Sequence, residues 1–534
     1  MNSTFDYIII GAGSAGCVLA NRLSENSENR VLLVEAGGKD SKPEIHIPAG
    51  YAKLHRTKVD WGYWTEPQKM LDNRKIYLPR GKVLGGSSST NAMAYVRGNA
   101  ADYNEWASLG NVGWGYNDVL PYFKKSEKNV EHTDSFHGQS GELSVGYSTR
   151  FETPFAAAFV ACCQEIGIPA NSDYNGESQE GVGNFQFTIK DGKRQSAAVA
   201  FLKPVMTRKN LTVWTDAHVS KIIIEKDEAK GVVLHIGNGN TQEVFARKEV
   251  ILSAGSFASP TLLMRSGIGE ASELNKNGIS VIKDLSGVGK NLQDHLFYAV
   301  SALSTVQEGQ NHHLKPLNQL KALANYLIYK KGILTIGPLE SVAFGNSGLG
   351  KPAVDYQFHF ASLHVGDDYS TDMYDVSTFP YTDGFSILPT LLKPKSRGEI
   401  RLKGASEIAI DPRFCENEYD KELLIKMGKK AKEVLLSTAF KPYFKQLLTP
   451  PGGDSDEAYW EHIKKQVETV YHPVGTCKMG TDTDAVVDSQ LRVHGIGKLR
   501  VVDASIMPTI VAGNTNAPVY MIAEKAAEMI FKQT

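Results

Sequence analysis

Cysteine is scarce in this chain of 534 residues, and its spacing forms no familiar binding pattern. There are 5 cysteines, an odd number, and no two of them are arranged as Cys-x-x-Cys. Disulfide frameworks and structural zinc sites normally use paired cysteines. We therefore expect no disulfide framework and no bound metal, and a reducing cytoplasm is the predicted location.

Long apolar runs and an excess of charge are also missing. No apolar run approaches the roughly 18 residues of a membrane-spanning helix. The formal net charge is -1 and the basic residues are scattered, so nothing electrostatic favours nucleic-acid binding. The N-terminal residues MNSTFD lead directly into the strand-like YIIIGAG, and we expect no signal peptide. Peripheral association with the inner face of a membrane stays open.

The composition that remains is typical of a globular protein. Hydrophobic residues make up 42% of the chain and charged residues 22%, close to the averages for soluble folds. The length predicts two or more domains with a large hydrophobic core.

The first 36 residues have the pattern of a dinucleotide-binding unit. An apolar strand is followed by Gly11, Gly13 and Gly16 in GxGxxG spacing, then by a helical pattern and a second strand that ends in Glu35. Gly11 permits a tight turn, Gly13 lets the backbone approach a pyrophosphate, and Gly16 lets the helix pack on the strand. Glu35 is placed to accept hydrogen bonds from ribose hydroxyls. Three neighbours are counted with this site: Ser14, Ala15 and Ala36.

Two later stretches favour FAD over NAD. RGKVLGGSSSTN, which begins at Arg80, is a loop of small residues that could wrap a flavin or its pyrophosphate. LRVVDASI, which begins at Leu499, reads as a buried strand that ends in Asp503 and Ala504, beside the phosphates or ribityl chain. Contacts from both ends of the chain imply a sheet whose last strand returns to the first.

With these blocks assembled, the sequence resembles the glucose–methanol–choline (GMC) oxidoreductases, flavoproteins that oxidise alcohols. RGKVLGGSSSTNAMAYVRG and GSFASPTLLMRSGIG are similar to the two signatures of that family. YHPVGTCKMG and VVDASIMPTIVAGNTNAP match the region that forms its active site. These motifs are most similar to those of the bacterial choline-dehydrogenase-like and alkanol dehydrogenase branch.

The resemblance implies a role for each matching residue. Val219 would meet the adenine, Asp503 and Ala504 the diphosphate and ribityl region, and Asn516 and Pro518 the pyrimidine end. Eight residues would line the flavin side: Arg80, Val83, Gly85, Gly86, Asn91, Ala92, Met93 and Ala94. Some family members attach FAD covalently through a histidine at the position of Thr90, so we expect non-covalent FAD here.

The predicted fold class is α/β, and α+β overall. A Rossmann-like FAD-binding domain (1–150, 191–300 and 466–534) is interleaved with a substrate-binding domain (151–190 and 301–465). Alternating segments such as VDYQFHFASLHV predict that the second domain is built on a mostly antiparallel sheet with helices. The polar stretch STVQEGQNHHLKPLNQL is expected to form a loop over the pocket.

YHPVGTCKMG contains His472 and Cys477, which allow three readings. A thiol catalyst needs a neighbouring base, and a metal site needs further ligands at workable spacing; the local sequence supplies neither. A neutral imidazole suits removal of a hydroxyl proton near pH 7. His472 also matches the catalytic histidine of the family, and Asn514 the second active-site position, where its amide would hold the substrate oxygen.

The predicted function is FAD-dependent oxidation of a primary alcohol to the aldehyde, with electrons passed to a quinone or another non-oxygen acceptor. An alcohol oxidase that forms H₂O₂ and a fatty-acid photodecarboxylase-like flavoprotein are the alternatives. Choline, aliphatic and aromatic alcohols all stay open as substrates, as does the oligomeric state. Glu340 is a candidate partner for a choline cation. Tyr356, Phe358 and Phe360 share one face of a strand, where core packing is the commoner role.

Overall fold

Two large β-sheets organise the computed structural model, which describes residues 3–237, 239–350, 353–404 and 407–532. The α-helices are Ser14–Leu23, Pro43–His46, Ala100–Ser108, Tyr116–Ser126, Pro154–Glu165, Gly255–Arg265, Ala271–Lys276, Pro316–Tyr329, Glu418–Leu435, Asp456–Gln466 and Asn516–Phe531. No helix in these ranges combines the length and the apolar composition needed to cross a lipid bilayer.

The first sheet contains the predicted dinucleotide unit. Its strands, in spatial order, are Leu211–Trp214, Val31–Val34, Ser3–Ile10, Asn240–Leu252, Glu228–Ile236 and Ala217–Glu225, with Leu499–Val501 paired to the end of Asn240–Leu252. The pairs around Ser3–Ile10 are parallel, whereas Glu228–Ile236 pairs antiparallel with both of its neighbours. The inner strands are apolar and buried because helices cover them. Leu499–Val501 brings the C-terminal part of the chain back to the N-terminal strand region, as predicted.

The second sheet is antiparallel throughout. Its strands follow the order Phe444–Leu447, Val300–Ser304, Gly384–Leu391, Tyr356–Ala361, Leu339–Gly345 and Gly181–Asn184; Leu296–Phe297 pairs with both Gly384–Leu391 and Glu468–Thr469. Side chains alternate between its two faces. Tyr356, Phe358 and Phe360 point into a core cluster that includes residues of helices Pro154–Glu165 and Glu418–Leu435. These aromatic rings are therefore core residues, and His359 and Ala361 lie on the opposite face.

Short strands complete the fold. They are Tyr63–Trp64 with Tyr77–Leu78; Glu127–Asn129, Leu143–Tyr147 and Gln186–Phe187; Ile189–Lys190 with Lys193–Arg194; Ile268–Gly269 with Lys283–Asp284; and Glu399–Lys403 with Glu407–Asp411.

The α/β prediction and the mostly antiparallel second sheet are confirmed. The domain boundaries stay a prediction; Leu296–Phe297 and Glu468–Thr469, which were assigned to the nucleotide side, pair within the second sheet. The predicted loop STVQEGQNHHLKPLNQL is helical in its last part, because helix Pro316–Tyr329 begins there with proline at its first position.

Candidate functional site

A continuous cavity of about 1450 Å³ lies between the two sheets. It begins at the carboxyl ends of the parallel strands, where Ile10, Val34 and Ser253 line it, and extends to the face of the second sheet that carries His359. Every residue of the sequence-predicted site lines this cavity except four: Gly16, Val83, Gly85 and Pro518. The fold thus brings together predicted site residues from positions 11 to 516 of the chain.

Each glycine of the GxGxxG motif has a different structural role. Gly11 has a φ of +98°, a left-handed conformation that favours glycine. A Cβ on Gly16 would stand 1.9 Å from the carbonyl oxygen of Gly11, so this glycine is needed for helix–strand packing and does not face the cavity. A Cβ on Gly13 would meet no protein atom within 4 Å, because Gly13 borders the cavity. A ligand can therefore approach the backbone closely at Gly13.

Glu35 lies at the end of its strand with its carboxylate anchored by backbone donors. Its Oε2 accepts from the N–H of Ala12 (2.9 Å) and its Oε1 from the N–H of Gly37 (2.8 Å). Burial raises the pKa of this carboxyl to about 7, and the two N–H donors oppose that effect. Each oxygen keeps a second lone pair for a hydroxyl donor in the cavity.

Helix N-termini converge on the same region. Ser14 Oγ donates to Asn516 Oδ1 (2.6 Å), which joins the first residues of helices Ser14–Leu23 and Asn516–Phe531 beside the cavity. The Asp503 carboxylate accepts from the N–H of Gly255 (2.9 Å) and from Ser259 Oγ (2.6 Å), at the start of helix Gly255–Arg265. Ser505 donates to its other oxygen. Asp503 therefore orients this helix end, and the converging N–H groups suit phosphate oxygens.

The middle of the cavity is bordered by the second glycine loop. Asn91 Oδ1 accepts from the N–H of Met93 (3.0 Å) and from Arg194 Nη1 (2.7 Å), and Met93 has a φ of +62°. Several buried polar atoms that border the cavity have no partner within the described ranges: Ser253 Oγ, Arg80 Nε, His359 Nε2 and Asn514 Oδ1. Unsatisfied buried atoms of this kind point to a polar ligand. The lining fits an extended dinucleotide with a substrate beyond it.

A histidine pair fixes the protonation pattern of His472. His295 Nε2 faces the carbonyl oxygen of Leu392 at 3.0 Å and must donate to it, which leaves His295 Nδ1 as an acceptor. His472 Nδ1 lies 3.0 Å from that atom and therefore carries its own proton. His472 Nε2 is then unprotonated and carries a lone pair, and Asn514 Nδ2 donates to it at 3.2 Å.

His472 is held neutral as well as oriented. Burial is the largest cause that brings its pKa well below 6.5, and His295, His359 and Arg80 add to the effect. Burial also lowers the pKa of His295 to about 3. The backbone N–H of His472 donates to Asp294 Oδ1 (2.8 Å), so adjacent residues hold both the backbone and the ring. The arrangement can accept a proton from a group beside Nε2.

The other residues singled out from the sequence lie elsewhere. Cys477 is fully buried, and burial raises the pKa of its thiol well above 9, which agrees with a packing role. The Glu340 carboxylate does not line the cavity; it accepts from Thr153 N (2.8 Å) and Gln310 Nε2 (3.2 Å).

Three functional candidates were missed from the sequence: Asp294, His295 and His359. Asp294 and His295 belong to NLQDHL, where an acidic residue directly before a histidine was the available signal, and the structure buries both side chains. His359 stands between Phe358 and Phe360 in YQFHFA and lies on the cavity face, where burial lowers its pKa to about 3. A histidine on the opposite face from three aromatic residues was the signal in that strand.

Comparisons with known proteins identify a family of similar enzymes. Models of the GMC oxidoreductases match residues 5–297 and 394–523. An alcohol dehydrogenase (acceptor) of Pseudomonas putida is 42% identical over 539 residues, which cover 99% of this chain and 96% of that protein. An oxygen-dependent choline dehydrogenase of Photobacterium profundum is 39% identical over 545 residues, which cover 100% of this chain and 94% of that protein. The solved structure of pyridoxine 4-oxidase from Mesorbium loti is similar with a TM-score of 0.88 at 31% identity, over 98% of both chains.

Proposed function

Because this chain belongs to the GMC oxidoreductase family, whose members bind FAD, we propose that it oxidises a primary alcohol to the aldehyde with His472 as the general base. FAD, when bound in the cavity, supplies the acceptor for the hydride that leaves the alcohol carbon. The observation that carries the proposal is the unprotonated Nε2 of His472, which borders the cavity and is fixed by the His295 contact.

The role of His472 is removal of the hydroxyl proton. The alcohol O–H takes the place of Asn514 Nδ2 as the donor to His472 Nε2, and Asn514 Nδ2, which lies 3.2 Å from Nε2 in the structure, donates to the alcohol oxygen instead. As the proton moves to Nε2, electron density on the oxygen rises and the carbon–hydrogen bond weakens. A neutral imidazole in a dry site is suited to this step, because burial holds its pKa well below 6.5.

The same cavity supports the assignment of the cofactor residues. Glu35 would accept hydrogen bonds from the ribose hydroxyls, the helix N-terminus at Gly13 would hold the phosphates, and Asn516 would meet the pyrimidine end of the flavin. Arg80, Asn91 and Met93 would border the flavin. We propose that FAD is held without a covalent bond, since the cavity residue beside Asn91 is Thr90 and a hydroxyl side chain lacks the nucleophilic imidazole. Acid precipitation should release all of the flavin absorbance into the supernatant.

The substrate end of the cavity favours an uncharged alcohol with an apolar chain. The cavity face of the second sheet presents Ala361, Leu363 and Leu388 around His359. Among the described lining residues the carboxylates are Glu35, Glu44 and Asp503, and none of them forms a hydrogen bond with His472 or Asn514. The Glu340 carboxylate, the candidate partner for a choline cation, does not line the cavity. Alkanols should therefore be turned over with higher kcat/KM than choline.

The test is anaerobic rapid mixing of the holoenzyme with an alkanol, followed through the loss of flavin absorbance. In His472→Ala the flavin should stay bound, while its reduction slows by about 10²–10⁴-fold. The wild-type rate should rise with pH only through the lowered pKa of His472 and be constant above about pH 6.5. His359→Ala is the matched control, since it removes a second cavity imidazole. Normal reduction in His472→Ala and loss of reduction in His359→Ala would move the base to His359.

The electron acceptor is proposed to be a quinone or another non-oxygen carrier, as the name of the similar Pseudomonas putida dehydrogenase suggests for that enzyme. An oxidase is the second candidate, because the solved pyridoxine 4-oxidase has the same fold at 31% identity. Oxygen consumption with stoichiometric hydrogen peroxide during alkanol turnover would favour the oxidase. Rapid reoxidation by a soluble quinone, with slow reoxidation by oxygen, would favour the dehydrogenase.

A further inference from the structure

Helix Pro316–Tyr329 has an unusual distribution of apolar side chains for a surface helix. Its outward stripe carries leucines and isoleucine where solvated helices normally carry polar residues. Leu317, Leu327 and Ile328 are 64%, 61% and 68% exposed, and Leu320 and Tyr329 are each 65% exposed. At about 3.6 residues per turn, Leu317, Leu320, Leu327 and Ile328 lie on one side of the helix, and we call these four residues together with Tyr329 the helix face. Large exposed apolar surfaces of this kind mark contact with a protein or a membrane.

The charge carried by the helix and its flanking residues is positive. Residues 309–339 contain four lysines and no aspartate or glutamate. The lysines are Lys315, Lys321, Lys330 and Lys331, and none of them pairs with a carboxylate within the described part of the chain. Lys330 Nζ lies 4.4 Å from the ring centre of Tyr326. An apolar stripe flanked by unpaired lysines is complementary to a lipid surface with anionic headgroups.

The same helix also forms the rim of the cavity. Pro316, Gln319 and Leu323 line the cavity, and Leu320 both lines it and is exposed to solvent. The apolar interior is thus continuous with the helix face through Leu320. An apolar molecule dissolved in a bilayer could pass along this route without crossing water. A contact between two copies of the chain would instead cover the rim.

We propose that the helix face docks on the surface of an anionic lipid bilayer, with helix Pro316–Tyr329 lying in the interface and the cavity opening toward the lipid. The helix has 14 residues and does not span the bilayer, so the association is peripheral. Leu317, Leu327 and Ile328 enter the acyl boundary, while Lys321 and Lys331 contact headgroup phosphates. Docking does not depend on the identity of the base or of the electron acceptor.

The test is co-sedimentation of the FAD-loaded enzyme with vesicles of equal parts phosphatidylcholine and phosphatidylglycerol. The wild type should sediment with these vesicles and much less with phosphatidylcholine alone. The triple variant Leu317→Gln/Leu327→Gln/Ile328→Gln should bind at least about tenfold more weakly, because three exposed side chains lose their apolar contact. Leu436→Gln is the matched control, since Leu436 is 49% exposed on another helix end and should leave binding unchanged.

A second variant tests the charge contribution separately. Lys321→Gln/Lys331→Gln should lose roughly tenfold or more in binding to the mixed vesicles and little in binding to phosphatidylcholine. The variants change residues outside the cavity lining, so turnover of a water-soluble alcohol should match the wild type. Vesicle binding without turnover would leave docking intact and contradict the proposed function alone.

Three results would overturn the docking proposal. The wild type could remain in the supernatant with the mixed vesicles. Both variants could sediment as well as the wild type. Light scattering could show a wild-type dimer that the triple variant dissociates, in which case the helix face is a subunit interface.

Discussion

His295 offers the sharpest test of how His472 is made into a base. His295→Leu removes the acceptor of the His472 Nδ1 proton and keeps an apolar side chain of similar volume. The bond that is lost spans 3.0 Å between fully buried groups. A buried donor left without a partner costs about 1–3 kcal/mol. His472 can recover this energy by moving its proton to Nε2, where the imidazole no longer accepts from the substrate.

The expected result is a roughly tenfold to hundredfold slower reduction of bound flavin by the alcohol, since each 1.4 kcal/mol corresponds to about a factor of ten. His295→Asn should recover part of the rate, because its Oδ1 can stand near the lost Nδ1 and accept the same proton. Flavin content should be normal in both variants. The measurement is anaerobic rapid mixing with a saturating alcohol.

The pH profile separates this role from a purely structural one. Removing His295 removes one of the groups that lower the pKa of His472, although burial, the largest cause, remains. In His295→Leu the rate should therefore rise with pH through a higher midpoint than in the wild type. An unchanged rate and midpoint in His295→Leu would refute the proton pattern derived from the Leu392 carbonyl. A loss that His295→Asn does not relieve would also contradict it.

Three further predictions concern the cofactor and the stability of the fold. Glu35→Ala should weaken FAD retention by roughly tenfold to hundredfold, measured by flavin release on dilution, and leave reduction of the reloaded enzyme largely intact. Gly13→Ala should fold with unchanged thermal stability as the apoprotein but lose FAD, whereas Gly16→Ala should fail to fold, because its Cβ would stand 1.9 Å from a carbonyl oxygen. In the folded protein the pKa values of His295 and His359 are lowered to about 3, so both imidazoles stay neutral, whereas in the unfolded chain they take up protons below about pH 6.5. The free energy of unfolding should therefore fall by about 2 kcal/mol per imidazole at about pH 5. Calorimetry of His359→Phe should show a shallower dependence of the unfolding free energy on pH.

The cofactor side of the site was predictable because its contacts follow local rules. A strand, a glycine turn and a helix N-terminus are contiguous in sequence, and their spacing alone indicates where a pyrophosphate binds. Glu35 follows from the same unit, at the end of the next strand. Asp503 lines the cavity, and its carboxylate accepts hydrogen bonds from Gly255 N and Ser259 Oγ. Those donors are 248 and 244 residues away, and no local pattern reports them.

The substrate side depended on long-range contacts and was therefore less accessible. His295 and His472 are 177 residues apart, and they come together because strands Leu296–Phe297 and Glu468–Thr469, which are next to them in sequence, pair with each other. Helix Pro316–Tyr329 was missed for a different reason. The polar residues just before it suggested a loop, and its apolar residues lie on the exposed side as well as on the side that faces the protein, which differs from a helix that packs one apolar side on a core.

The position of His472 follows from the pairing of two very short strands. Leu296 pairs with Thr469, three residues before His472, and the residues just before Leu296 are His295 and Asp294. Asp294 Oδ1 accepts a hydrogen bond from the backbone N–H of His472, and His295 Nδ1 accepts one from the ring N–H of His472. One register therefore sets the backbone, the ring orientation and the protonated nitrogen together. A slip of one residue would exchange the faces of His295 and Asp294 and remove both contacts. His472 is consequently positioned by the second sheet, while Gly11, Gly13 and Glu35 are positioned by the strands of the first. Changes on the cavity face of the second sheet can therefore alter the alcohol that is accepted without disturbing the dinucleotide end.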